Sequence, residues 1–211
     1  QKATEEASQL GISYTPFLMI NGRIVQEGEL QNLGVIIQLL LTSEDVYKEC
    51  PPTVIDPAKA YTATISTDKG DIEIRLFPEA APLSVNSFIY LAQEGSYNNQ
   101  PFNDVIKDSA ENGFRIAIAG DHTDTGYGSA GYDLGAENLT AKFDKKGMVG
   151  LVNGSQFFIT LDPQPVFDGN LSVIGEVISG LEVLDLLSVT YQTDGTMLPA
   201  DVIKSITIKE G

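Results

Sequence analysis

The chain has 211 residues, 42% of them apolar, and 29 Asp and Glu against 13 Lys and Arg, for a formal net charge of -16. That length accommodates one sizeable core plus a smaller unit, and the charge repels phosphate backbones and anionic lipid, which argues against nucleic-acid and membrane-surface binding and favours basic peptides. A single cysteine, Cys50, excludes an internal disulfide and a multi-cysteine zinc site, while the single histidine, His122, lies in a Gly- and Asp-rich loop and reads as a surface imidazole rather than the base of a Ser/His/Asp triad.

The opening "QKATEEASQL" is polar and lacks the basic-then-apolar order of a signal peptide, and so abrupt a start suggests a longer precursor. Ala3, Ala7 and Leu10 recur at helical spacing up to Gly11, a glycine placed to end a helix. "TPFLMI", Asn21-Gly22 and "RIVQEG" then predict a β-hairpin, since Asn-Gly is the strongest two-residue hairpin signal. A second helix is expected from about Glu29 to Thr42; its run "LGVIIQLLL" is about nine residues, under half of the roughly 20 that span a bilayer, so no membrane insertion is expected. This helix-hairpin-helix, with Thr15-Pro16 entering the first strand, resembles the C-terminal half of a thioredoxin-fold disulfide oxidoreductase. It has no Cys-x-x-Cys, so half of such a redox site is missing and thiol exchange is not expected. Residues 1-45 read either as a fragment of a larger thioredoxin-like domain or as an independent cap on the second domain.

Residues 46-59 include "CPPTVIDPAK", whose three prolines suit an extended linker, and Cys50 within it reads as an incidental thiol. From residue 60 the pattern changes. "YTATIST" and "DIEIRLFP" alternate apolar and polar residues across a Lys69-Gly70 turn, with Ile72, Ile74 and Leu76 on one face and Glu73 and Arg75 on the other. In "APLSVNSFIYLAQEGSY", Val85, Phe88, Ile89 and Leu91 repeat at helical spacing, starting at Ser84 or a neighbour and ending at Gly95. Short strands come next at "RIAIAG", "GMVGLV", "QFFITL" and "SVIGEVI", then a helix at "LEVLDLL" and a last strand at "VIKSITIKE". Many short strands with two helices predict a mainly β protein built on a closed antiparallel barrel.

Four stretches in order carry a more specific resemblance: "DKGDIEIRLFPEAAPLSVNSFIYLAQEGSY", "AGDHTDTGYGSAGYDLGAE", "GSQFFITL" and "VFDGNLSVIGEVISGLEVLD". Residues 60-211 resemble a bacterial-type cyclophilin. The resemblance implies an eight-stranded antiparallel barrel capped by two helices, a surface groove for proline-containing peptides or unfolded proteins, and peptidyl-prolyl cis-trans isomerase activity with no metal or other cofactor.

The chemistry explains what that groove needs. Rotation about an Xaa-Pro bond breaks amide resonance against a barrier of about 18 to 20 kcal/mol. The twisted prolyl nitrogen regains its lone pair, so a cationic donor aimed at it stabilises the transition state alone. By the resemblance, Gln156 grips the substrate backbone, Phe158 lines the proline pocket, and Phe102 matches the aromatic that opens the family's Phe-His-Arg motif. Asn103 then stands for the histidine and Asp104 for the catalytic arginine; an ionised carboxylate accepts hydrogen bonds and donates none. Ile116 stands for a pocket methionine, Ile118 for a second glutamine, and Phe167 for a pocket leucine. Leu171 replaces a histidine and Val166 a variable tryptophan. Arg115 stands for a pocket phenylalanine, unless a one-residue bulge puts Phe114 there. The loop before "NGSQFF" is shorter than usual, which removes part of the peptide-binding rim.

Of three arginines, Arg23, Arg75 and Arg115, only Arg115 could reach the groove, as a relocated catalytic donor, unless it pairs locally with Asp104 or Glu111 or faces solvent. Asp121, Asp124 and Asp133 do not have EF-hand spacing, and no metal site is expected. The expected function is therefore a weakened isomerase acting in protein folding, with an inactive binding or scaffold module attached to a thioredoxin-like oxidoreductase as the alternative. The oxidoreductase-like segment suggests an extracytoplasmic setting.

Overall fold

The structure, a computed structural model, describes residues 18–20, 23–25, 33–35, 37, 47, 49–107, 113–123, 128–190 and 198–211. The chain divides into two units, Gln1–Asp45 and Val46–Gly211. In the first, β1 (Leu18–Ile20) pairs antiparallel with β2 (Arg23–Val25), Ile20 standing opposite Arg23. That register leaves two residues between the strands, as a two-residue hairpin requires. Residues 33–35 and 37 are helical. The helix expected at residues 2–11, the Thr15-Pro16 bond and the Asn21-Gly22 turn lie outside the described residues.

The second unit carries nine strands in one antiparallel sheet: β3 (Tyr61–Thr67), β4 (Asp71–Leu76), β5 (Gln100–Pro101), β6 (Asp104–Ile106), β7 (Ile116–Ala119), β8 (Met148–Leu151), β9 (Phe157–Thr160), β10 (Ser172–Ser179) and β11 (Val202–Glu210). Two helices, α1 (Pro82–Gln93) and α2 (Leu181–Leu186), pack against β11 and β4 respectively. The strand order is β5-β11-β3-β4-β10-β8-β9-β7-β6. Its two ends, β5 and β6, are consecutive in the chain and joined only by Phe102 and Asn103. Three peptide steps reach at most about 11 Å, so the sheet has to curl until its edges meet. Counting β5 and β6 as one bent strand recovers the expected eight. Pro101, with no N–H to give, sits at the β5 edge opposite Val202.

Local sequence rules account for the elements. In β3 and β4 every second residue is buried, with Ile72, Ile74 and Leu76 inside and Glu73 and Arg75 outside. Helix α1 begins at Pro82, two residues ahead of Ser84, because proline at the first helical position forfeits only an N–H that had no intrahelical partner. It buries Val85, Phe88, Ile89 and Leu91, each worth about 1.5 to 3 kcal/mol on leaving water. Gly95, at φ 74, ends it in the left-handed conformation. Inside the curl, Phe157 meets Phe88 and Tyr97 edge-on at 5.2 and 5.4 Å. Burial pushes the Tyr97 hydroxyl well above its ordinary pKa, and that hydroxyl donates to the Ser155 carbonyl at 2.9 Å.

The described part of the segment expected as a linker has no helix or strand, turns at residues 57–59, and belongs to the second unit. The Asn86 side chain accepts from the Val54 N–H at 2.7 Å and donates to the Pro52 carbonyl at 3.0 Å, while Ile55 enters the core. Upstream, the Tyr47 N–H donates to Ala130, and its ring meets those of Tyr90 and Tyr132. Cys50 is exposed. Among the described residues no helix is long and apolar enough to cross a membrane.

Candidate functional site

Successive residues of a strand face opposite sides of a sheet, so pairing register decides what meets on the outer face. Asp104 pairs with Ile118, Ile118 with Phe158, Phe158 with Gly150, and Gly150 with Val173. These five residues form one continuous rung across β6, β7, β9, β8 and β10. The next rung begins Ile106, Ile116, Thr160. The alternate residues Val105, Ala117 and Ile159 point inward to the main core.

On this outer face lies a second hydrophobic cluster: Ile116, Phe143, Met148, Phe158 and Val173, with Ile106, Phe114, Ile118, Phe167 and Leu171 half-buried around it. The Phe158 ring contacts Phe143 at 5.2 Å and Phe167 at 5.0 Å, and Phe114 stacks on Phe167 with centroids 5.2 Å apart. Phe158 itself is only 1% exposed, so the accessible apolar surface is made by Phe114, Phe167, Ile118, Ile106 and Leu171.

The structure therefore brings together Asp104, Ile116, Ile118, Phe158, Phe167 and Leu171 of the residues singled out in the sequence. Phe102 is not with them. It is fully buried in the main core, where its N–H donates to Asp201 at 2.9 Å, because the β5–β6 bend points its ring inward. Phe114, rather than Arg115, supplies the ring that stacks on Phe167. Arg115 immediately precedes β7, its carbonyl accepting from Leu161, and its guanidinium pairs with Asp162 rather than Asp104. Three residue steps, about 10 Å of strand, separate it from Ile118. Glu111 is outside the described residues.

Gln156 is buried, and its amide nitrogen donates to the Gly128 carbonyl at 2.6 Å, tying β9 to the glycine-rich loop. Asn103 closes the other side: its side chain accepts from the Asp121 N–H at 3.0 Å and donates to the Asp121 carbonyl at 2.8 Å. This reciprocal pair fixes β6 against the end of β7. Asp121 is buried and accepts from the N–H and hydroxyl of Thr123; His122 is exposed, and Asp124 lies outside the described residues.

The Asp104 carboxylate accepts a hydrogen bond from the Thr190 hydroxyl, which in turn accepts from the Val105 N–H at 3.0 Å. Thr190 thus covers the free edge of β6, and the position where a cationic donor was expected holds a fixed acceptor.

The short connection between β8 and β9 is a turn held by Asn153, whose side-chain oxygen accepts from the N–H groups of Ser155 and Gln156, each at 2.9 Å. Gly154 lies against Tyr132, and its carbonyl accepts from Ser87 at 2.6 Å. Between this turn and Leu171 opens a small cleft lined among others by Ser84, Leu134, Val152 and Asn153.

Sequence reasoning missed Phe143, Met148, Gly150 and Thr190. Gly150 carried a signal, since an isolated glycine within a strand marks a close approach. Phe143, a lone aromatic in a polar loop, carried a weak one. Thr190, 86 residues from Asp104, carried none.

Comparison with known proteins agrees with the fold. Residues 62–208 match the family model described as cyclophilin type peptidyl-prolyl cis-trans isomerase/CLD. The chain is 36% identical over 181 residues to a probable peptidyl-prolyl cis-trans isomerase A of Mycobacterium bovis, covering 76% of this chain and 98% of that protein. It is 34% identical over 165 residues to peptidyl-prolyl cis-trans isomerase-like 2 of Cryptococcus neoformans, but spans only 28% of that longer protein against 72% of its own length. A crystal structure of a cyclophilin type isomerase from Cryptosporidium parvum superposes with a TM-score of 0.63 at 30% identity, covering 71% of this chain and 98% of that one. The chain belongs to the cyclophilin-type peptidyl-prolyl cis-trans isomerase family.

Proposed function

We propose that this protein is a slow cyclophilin-type peptidyl-prolyl isomerase that takes proline-containing segments of peptides or unfolded chains on the outer face of β6, β7 and β9. The observation that carries the reading is the rung Asp104–Ile118–Phe158, which joins an apolar platform to an acid where a cationic donor belongs. The Cryptosporidium parvum relative has been crystallised in the presence of the dipeptide Ala-Pro, which supports a prolyl ligand for this face.

An apolar surface alone still assists the reaction. The planar amide is more dipolar than the twisted one, so removing water from the bond disfavours the ground state. What is lost is the charge-assisted hydrogen bond to the prolyl nitrogen, worth about 1.5 to 3 kcal/mol, or roughly one to two decades in rate.

A second reading, a binding or scaffold module without catalysis, is favoured by the burial of Phe158 beneath the stacked Phe114 and Phe167. The antiparallel pairing of β1 with β2 is compatible with a thioredoxin-like segment next to such a module.

NMR exchange between cis and trans forms of an Ala-Pro peptide separates the two readings. Slow exchange above background, unchanged in Arg115→Ala and raised about tenfold or more in Asp104→Arg, supports the slow isomerase. Exchange at background in all three proteins removes it and leaves the binding module.

A further inference from the structure

We propose that Asp104 selects Xaa-Pro segments carrying a lysine or arginine beside the proline. The inference rests on the outer face of β6, β7 and β9 being the proline platform, and it names the substrate class that platform prefers.

Three observations carry it. First, Asp104 is on the same rung as Ile118 and Phe158, so its carboxylate borders the apolar patch from one strand away. Asp104 and Ile118 are one strand spacing, about 5 Å, apart. A residue next to proline in an extended peptide is about 3.4 Å along the chain, and a lysine side chain adds roughly 6 Å of reach, so a cation flanking a proline over Ile118 meets this acid.

Second, the carboxylate is held in place. The Thr190 hydroxyl donates to Oδ1, and Val105 in turn holds Thr190. A fixed acceptor costs a ligand less ordering than a mobile surface side chain would.

Third, Asp104 has no cationic partner among the described residues, whereas neighbouring acids do. Asp162 pairs with Arg115, and Asp168, next to Phe167, pairs with Lys142 at 3.3 Å. Lys107, three residues along from Asp104, turns its Nζ to the Asp185 carbonyl at 2.6 Å. The acid at the patch is therefore open to a ligand's cation, and the overall charge of -16 raises the local concentration of basic peptides without choosing where their charge sits.

Two octapeptides of identical composition separate these effects, with the single proline flanked by lysine in one and the lysine moved to the far end in the other. Their affinities for the full chain are measured by NMR titration of the Phe158 resonances at low salt. Asp104→Asn keeps an oxygen for Thr190 and removes the charge. The flanked peptide is expected to bind the wild type about two- to five-fold more tightly than its isomer, the range of a partly exposed ion pair, and to lose that preference in Asp104→Asn. Equal affinities in the wild type, with Phe158 perturbed by both peptides, overturn the selection and leave the platform standing. No perturbation of Phe158 by either peptide removes the platform and the selection with it.

Discussion

The Phe158 ring lies so close over Gly150 that a Cβ on Gly150 would come within 2.4 Å of its Cε1 and Cζ atoms and 2.8 Å of the Phe143 ring. The glycine is what lets two aromatic rings settle onto β8, and the apolar face of the candidate site is built upward from it. Gly150→Ala should therefore lift Phe158 and loosen its contacts with Phe143 and Phe167, costing about 1 to 3 kcal/mol as overpacking does. Chemical denaturation reads the loss, and displaced ring resonances of Phe143, Phe158 and Phe167 locate it. A variant with unchanged midpoint and spectra would contradict the tight packing.

Thr190 is buried and its hydroxyl makes two hydrogen bonds, one to Asp104 and one from the Val105 N–H. Thr190→Val keeps the shape and leaves the Val105 N–H without its acceptor at the β6 edge. The expected loss is about 1 to 3 kcal/mol, with faster amide exchange at Val105. Thr190→Ser, which keeps the hydroxyl, should recover most of it. If both variants behave alike, the hydroxyl carries no weight.

Helix α1 has no side-chain cap of its own, since Ala81 precedes it and Pro82 opens it. Glu137 supplies the cap from elsewhere in the chain, accepting from the Leu83 and Ser84 N–H groups at 3.2 and 2.8 Å and from the Ser84 hydroxyl at 2.7 Å. Its charge also faces the positive end of the helix dipole. Glu137→Ala should cost about 1 to 2 kcal/mol, seen as a lower denaturation midpoint and increased amide exchange in the first turn of α1. A midpoint equal to wild type would show that water replaces the cap without loss.

Glu176 lies opposite Arg75 across β10 and β4, pairs with its guanidinium, and accepts from the Lys145 Nζ at 2.5 Å. The Lys145 ammonium, followed by Arg75, holds its carboxyl below the ordinary value of 4.5. A depressed folded-state pKa means this contribution is fully present above about pH 4.5 and is lost as pH falls through the lower folded value. Glu176→Gln should thus lower stability near neutral pH by up to about 1 kcal/mol, since the two cations stay partly solvated. The gap from wild type should close as pH falls below 4.5 and through the lower folded value, in denaturation curves measured across pH. A constant gap at all pH values would assign the effect to shape rather than charge.

The alternation of β3 and β4, the apolar stripe of α1 and its glycine stop were legible in the sequence because each depends on residues a few positions apart. The pairing of β1 with β2 was legible for the same reason, as were the core positions Ile72, Ile74, Phe88 and Ile89. At the candidate site, Ile116, Phe158 and Phe167 could be named in advance from the family resemblance, as could Asp104, Ile118 and Leu171 as positions where the chain departs from the expected pattern. Tertiary structure alone decided that Phe102 turns into the core, since that results from closing β5 and β6 around one bend. It also decided that Phe114 takes the stacking place while Arg115 goes to Asp162, a choice that depends on where β7 begins relative to β9. Thr190 against Asp104 and Glu137 against α1 join residues 86 and 53 positions apart. Hydrogen-bond partners at such separations leave no periodicity or local propensity to read, because they are selected by which strand edges and helix ends the curled sheet brings within about 3 Å of each other.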